Sequence, residues 1–346
     1  MTADVDDFMA TMVAPPRPVP IGHALALVRE HYGFAPRAAR LTGERDENFR
    51  LTAEDGAEYL LKIANPAEHP AETDFQTAAL VHIERADPAL PCPRVLRDRT
   101  GGTYVRFLDA GGAERTARIL TFLPGRLLGA ATRSHRQRAA CGRIGARLVL
   151  ALRGFEHPAA ERTIAWDLRH TGHMRRLLEE LPRFPYRPAA HELLGQLTPR
   201  IEEELPRLRH QVVHNDLNPL NILVDPVDEE RVTGVIDFGD MTCTALIADV
   251  AVTAAELIPM DCADPVQARD SVRDVAGAYH ECVPLLQTEL ALLGALAAAR
   301  LLMTLVIHEW HVQRNPASGH FQALDEDFMR ARLHIAERLL REEIRL

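Results

Sequence analysis

The chain has 346 residues, 47% of them hydrophobic and 26% charged. That is enough apolar material for one large domain or two modest ones, and too much for a disordered polymer. Forty Lys and Arg stand against 49 Asp and Glu, a net charge of −9; a nucleic-acid binder would show a basic excess, and the absence of any repeat period argues against a solenoid or propeller.

Residues 1–20 read as a tail with prolines at 15, 16, 18 and 20, and Asp4, Asp6 and Asp7 precede no apolar run, so no secretory leader is expected. A helix is predicted over 21–32, stopped by Gly33. The hydrophobic period then changes from 3.6 to 2, giving strands over 48–53 and 57–64 around the hairpin signal Asp55-Gly56. Near the end of the second strand stands Lys62, the only lysine among the 40 basic residues. Codon usage in a GC-rich genome explains the arginine excess, but not why one lysine is kept. It points to a place that needs a compact charge where a planar fork does not fit. Helical spacing over 70–85 puts Phe75, Leu80 and Ile83 near one face. Further strands are predicted over 94–96, 103–108 and 114–122, punctuated by Gly101-Gly102 and Gly111-Gly112.

Pro124-Gly125 ends this pattern. Helices are predicted over 135–153, 165–181, 189–206, 245–258, 267–281, 284–313 and 325–344. One small hairpin interrupts them, with strands 222–224 and 232–236 flanking a charged turn. The apolar stretch from Leu290 to Ile307 carries Arg300 near its middle. Arginine at a bilayer centre costs roughly 2.5–3.5 kcal/mol, so a core helix is expected and no membrane partner. Cys92, Cys141, Cys243, Cys262 and Cys282 are odd in number, widely spaced and without a C-x-x-C pair. They suit thiols in a reducing compartment, the cytoplasm, better than disulfides or zinc. Nothing here sets an oligomeric state. The expected fold is α+β and two-lobed: a tail (1–20), a β-rich lobe (21–123) and a mainly helical lobe (124–346), with a ligand cleft between lobes.

The chemistry is concentrated at the hairpin. His214-Asn215-Asp216-Leu217-Asn218-Pro219-Leu220-Asn221 leads into its first strand, and Ile236-Asp237-Phe238-Gly239-Asp240 follows its second. An Asp with an Asn five residues later, then an Asp after a strand, meets the needs of magnesium-dependent phosphoryl transfer. One carboxylate orients the acceptor hydroxyl or takes its proton, while an amide oxygen and a second carboxylate hold Mg²⁺ against nucleotide phosphates.

At these residues the chain resembles the protein-kinase-like superfamily, through H-x-D-x-x-x-x-N and D-F-G, with Asn218 where protein kinases usually carry lysine. It is more similar to the small-molecule branch, the aminoglycoside phosphotransferase family, which shares its lack of G-x-G-x-x-G and A-P-E segments. Within that branch several pieces look like the hydroxylysine kinases: residues 59–66, 119–126, 155–158, 166–168 and 234–241. The resemblance implies a two-lobed kinase-like fold and a kinase that phosphorylates a hydroxyl of a small amino compound, hydroxylysine or a related amino acid or amino alcohol. The donor would be ATP or GTP, and the cofactor Mg²⁺. It further implies Asp216 as catalytic base, His214 as a brace for the loop, Asn221 and Asp237 as Mg²⁺ ligands and Lys62 on the α/β-phosphates. A hinge over 119–125, with Thr121 and Leu123, would hold the nucleotide base.

Two departures stand out. The phosphate-covering turn, 41–49, has one glycine rather than three, with Asn48 as a candidate phosphate donor. The helical acid that normally pairs with the strand lysine is replaced, by spacing, with Gln76; Glu72 and Asp74 lie nearby. His308-Glu309-Trp310-His311 has its histidines three apart, whereas a zinc-protease helix needs four. Trp166, Asp167, Asp240, Arg300 and Glu309 are candidates to grip a zwitterionic acceptor, which needs both a cation and an anion partner. The alternatives are an antibiotic phosphotransferase, a catalytically silent nucleotide-binding regulator and a protein kinase.

Overall fold

The computed structural model describes residues 17–43, 46–131, 133–314 and 323–346. Most of the proline-bearing tail, and Glu44 and Arg45 of the phosphate-covering turn, lie outside them. By its internal contacts the chain divides into two compact units. One comprises residues 1–124 with 155–160, and the other 125–154 with 161–346. The segment 155–160, which chain order alone would give to the second unit, packs with the first: Phe155 stacks on Phe75, their ring centroids 6.0 Å apart.

Among the described residues the first unit is an antiparallel sheet with two α-helices. Helix α1 (Ile21–Tyr32) ends at Gly33, whose φ of 81° is a left-handed cap that donates back to the Val28 carbonyl. The sheet contains β1 (Arg37–Leu41), β2 (Glu47–Thr52), β3 (Glu58–Ile63), β4 (Val95–Leu96), β5 (Val105–Leu108) and β6 (Glu114–Thr121). The strand order is β1-β2-β3-β6-β4, with β5 also on β6. Alternation decides the faces. Phe49, Leu51, Leu61, Ile63, Ala117 and Ile119 point inward and meet Ala24, Leu27 and Val28 of α1. Burying each of the large side chains contributes about 1.5–3 kcal/mol. The residues between them, Asn48, Lys62 and Arg118, are thereby turned to the opposite face. Helix α2 (Pro70–Ala86) starts with proline at its first position, and the His69 ring accepts from the Ala71 amide at 3.2 Å.

The second unit is mainly helical, with α3 (His135–Ala151), α4 (His173–Glu179), α5 (Arg187–Glu204), α6 (Leu246–Glu256), α7 (Pro265–Cys282), α8 (Gln287–Arg314) and α9 (Glu326–Arg341). Helix α8 is long and apolar enough to cross a membrane, but 89% of its apolar window is buried inside the protein. Helices α3 and α7 meet at Gly142, where any Cβ would collide with the Val275 carbonyl. Two small ladders carry the site loops. Strand β9 (Ile222–Val224) lies between β10 (Val232–Val235) and β7 (Arg126–Leu127), and β8 (His210–Val213) pairs with β11 (Thr242–Ala245).

Three elements depart from the sequence reading. Strand β1, Arg-Ala-Ala-Arg-Leu, has no apolar alternation because it is an edge strand. The β8–β11 ladder is only four residues long and joins segments far apart in the chain. The helix expected over 165–181 is broken into a short turn at Leu168–His170 and α4, because the Asp167 side chain caps the turn.

Candidate active site

The loop between β8 and β9 is held from behind. Asn215 has φ 62°, a left-handed conformation that asparagine tolerates better than most residues. Its amide N–H donates to the Asp249 carboxylate of α6 at 2.7 Å. Asp249 lies among the apolar residues of the first turns of α6, and burial pushes its carboxyl up to about 7. The His214 ring is also buried. Its Nδ1 accepts from the Asp216 amide at 3.3 Å, so the proton sits on Nε2, which donates to the Ile236 carbonyl at 3.1 Å. Burial lowers the ring to about 4, leaving it neutral at pH 7. His214 thus ties the loop to the end of β10.

Asp216 stands at the centre. Its Oδ2 accepts from the side-chain amides of Asn218 at 2.9 Å and Asn221 at 2.6 Å, and its Oδ1 from the Arg300 guanidinium at 2.9 Å. Burial pushes the carboxyl well above the ordinary range, Arg300 draws it down, and Asp240 and Glu256 push it up. Arg300 comes from the middle of α8. Its Nε donates to Glu256 at 2.9 Å, and its Cζ lies 4.5 Å from the Trp166 ring centroid.

Asn221 also donates to the Asp216 carbonyl at 2.9 Å, which commits its nitrogen and leaves its side-chain oxygen. The Ile236 amide donates to the Asn221 carbonyl at 2.9 Å, extending the β9–β10 ladder by one pair and bringing Asp237 beside Asn221. Asp237 is exposed, with φ 57°, and its Oδ1 accepts from the Gly239 amide at 3.2 Å. Arg162 ties down this turn by donating to the carbonyls of Gly239 and, at 3.0 Å, Met241. An amide oxygen and an exposed carboxylate are hard donors that suit Mg²⁺. Among the described residues no group of three or more His, Cys, Asp or Glu could hold a metal.

In the first unit, Lys62 of β3 sits in register between Asn48 of β2 and Arg118 of β6. Its Nζ lies 3.3 Å from the Asp46 carboxylate. The sequence reading placed Gln76 at the lysine; its carbonyl oxygen instead accepts from Arg118, while the acids that act on Lys62 include Asp46 of the turn before β2 and Glu68. The Asn48 side-chain oxygen is buried without a partner. Thr121 spends its backbone N–H on the Arg94 carbonyl and its hydroxyl on the Arg94 amide, both at 2.9 Å. Leu123 is half-buried just beyond β6.

Of the acceptor candidates, Trp166, Arg300 and Asp240 gather near Asp216. Asp167 is engaged elsewhere in the structure. It is fully buried, and accepts from the Arg169 amide at 2.9 Å and its guanidinium at 2.8 Å, while Arg169 goes on to the Thr242 hydroxyl. Glu309 accepts from Gln313 of its own helix at 2.6 Å. Trp310 is buried and donates to Glu180 at 2.9 Å, so the His308–His311 segment packs the helical unit. Sequence reasoning missed Asp249, Glu256 and Arg162. Asp249 had a legible signal, as the one charged residue before Glu256 in an apolar helix.

Residues 38–285 match the model of the phosphotransferase enzyme family. The hydroxylysine kinase of Mus musculus is 26% identical over 321 residues, covering 86% of this chain and 84% of that protein. Two solved kinases share the fold. Amicoumacin kinase in complex with AMP-PNP, Ca²⁺ and Ami is 14% identical (TM-score 0.69), covering 94% of this chain and 95% of that one. The microcompartment-associated aminopropanol kinase is 19% identical (TM-score 0.68), covering 93% and 95%.

Proposed function

The chain belongs to the phosphotransferase enzyme family and is a small-molecule kinase acting on hydroxyl groups, and we propose that its acceptor is hydroxylysine or a related hydroxylated amino acid or amino alcohol. ATP or GTP would be the donor. The observation that carries this reading is the half-buried Asp216 carboxylate, held by Asn218, Asn221 and Arg300 at hydrogen-bond distance.

In this reading Asp216 receives a hydrogen bond from the acceptor hydroxyl, orients its oxygen toward the phosphorus and takes its proton as the bond forms. Lys62 holds the α/β-phosphates as a compact charge, and Asn48 adds a polar contact from the neighbouring strand. The Asn221 oxygen and Asp237 would hold Mg²⁺, whose charge offsets that building on the phosphoryl oxygens. His214 and Asp249 keep the loop in place. The hinge beyond β6 would hold the base, with Thr121 contributing atoms other than its committed N–H.

The relatives support an amino acceptor, and so does the local charge. Asp216, Asp240 and Glu256 all interact electrostatically with Arg300, a balance of charge that favours an ammonium. An antibiotic phosphotransferase would need a dense acidic surface for a polycation. In the acidic runs of the helical unit, Glu203 pairs with Arg207 and Asp325 caps α9. A silent regulator would have no use for an intact Asp216, Asn221 and Asp237. The thiol state of the cysteines suits a cytoplasmic enzyme. The test is nucleotide consumption across hydroxylated amino acids, amino alcohols and aminoglycosides with ATP and with GTP. Hydroxylysine or a near relative should give the highest kcat/KM. A preference for an aminoglycoside would overturn the acceptor assignment.

A further inference from the structure

A carboxylate has about four positions for donors, two on each oxygen. In Asp216, Oδ2 is filled by the amides of Asn218 and Asn221, at 2.9 and 2.6 Å. Oδ1 has one donor, Arg300 Nη2 at 2.9 Å. The position left open for an acceptor hydroxyl is therefore on Oδ1, the oxygen that Arg300 fixes.

We infer that Arg300 is the positioning residue of the transfer: it aims Oδ1 of Asp216 at the acceptor hydroxyl, as the middle member of a chain running from Glu256 through Arg300 to Asp216. The inference rests on the kinase reading above and adds which oxygen works and what holds it.

The geometry of the guanidinium explains why arginine stands there. It is only 3% exposed, midway along an apolar helix. One edge is divided between two carboxylates, Nε to Glu256 at 2.9 Å and Nη2 to Asp216 at 2.9 Å, and its face lies on Trp166. Glu256 is itself held by the Thr304 hydroxyl at 3.1 Å. With Nε, Nη2 and its face engaged the planar group has one orientation, and its Nη1 is buried without a partner. A lysine at this position would keep the charge but lose the second donor and the stacking plane. For packing alone, apolar residues serve as well as a buried ion pair, so the arrangement points to a need for direction at Asp216.

The test uses an acceptor that the wild-type enzyme phosphorylates, with turnover at saturating acceptor, acceptor KM, nucleotide affinity and thermal melting measured on each variant. Arg300→Lys should melt close to wild type and bind nucleotide within about twofold, while kcat falls at least about tenfold, since a misplacement near one ångström costs up to about 10²-fold. Arg300→Ala should lose about 10²–10³-fold. Millimolar guanidinium should recover at least a tenth of the lost rate, and methylammonium should not, because only a planar fork fits between Trp166, Glu256 and Asp216. If Arg300→Ala does not fold, Arg300→Lys decides the matter. Wild-type kcat in Arg300→Lys, or a defect confined to acceptor KM, overturns the inference while leaving the kinase reading intact. A wild-type enzyme silent on every acceptor overturns both.

Discussion

Replacing Asp249 by asparagine should make the protein's stability less sensitive to pH. Asp249 is 1% exposed and accepts one backbone hydrogen bond, from Asn215, at 2.7 Å. Burial raises its pKa from 3.8 to about 7. Between those values the folded protein keeps a proton that the unfolded chain releases, so stability falls as pH rises through that window. The cost of ionising the buried carboxyl grows by about 3 kcal/mol between pH 5 and pH 8 (2.303RT is 1.36 kcal/mol per pH unit). Asparagine offers an acceptor oxygen to Asn215 without that cost. Relative to wild type, Asp249→Asn should therefore gain about 3 kcal/mol in going from pH 5 to pH 8. Urea unfolding of both proteins at the two pH values measures this. Parallel stability curves would refute the argument, because they would mean that Asp249 is ionised throughout or is not buried.

Lys62→Arg should melt normally yet lose about 10²-fold in turnover, because Arg118 already fills the adjacent register position and a second guanidinium displaces the charge from the phosphates; unchanged turnover would make the single lysine incidental. Asp237→Ala should abolish the Mg²⁺-dependent part of nucleotide binding measured by calorimetry, and equal affinity in the two proteins would remove Asp237 from the metal site. Asp167→Ala should destabilise by about 2–4 kcal/mol by stranding Arg169, with acceptor KM unchanged; a raised KM without a fall in melting temperature would return Asp167 to the acceptor site.

The order of strands and helices could be read from period changes and from Gly and Pro punctuation, because those signals are local. The His214–Asn221 loop and the Asp237 turn were legible for the same reason: the chemistry needs particular residues at short, fixed spacings. What was not legible depends on distant partners. Nothing local says that Thr242–Ala245 pairs with His210–Val213, or that Arg118 on β6 takes the amide of Gln76. Asp167 was a candidate as an anionic partner for a zwitterionic acceptor, and its carboxylate accepts from Arg169 two residues later. Arg300 was singled out as a counter-ion for the acceptor, and the structure shows its charge already shared between Asp216 and Glu256. In each case the residue type was informative and the partner was not, since side-chain partners are set by tertiary packing.

The central claim is that Asp216 directs a phosphoryl group from nucleotide to the hydroxyl of a small amine. The most direct measurement is phosphorus NMR of a reaction holding enzyme, Mg²⁺, nucleoside triphosphate and hydroxylysine, run with wild type and with Asp216→Asn after calorimetry has shown equal nucleotide affinity. The account predicts a phosphomonoester signal on the hydroxylysine side chain with wild type, and formation at least about 10²-fold slower with Asp216→Asn. A phosphomonoester formed at the same rate by both proteins, or nucleotide hydrolysis with no phosphorylated acceptor, would contradict it.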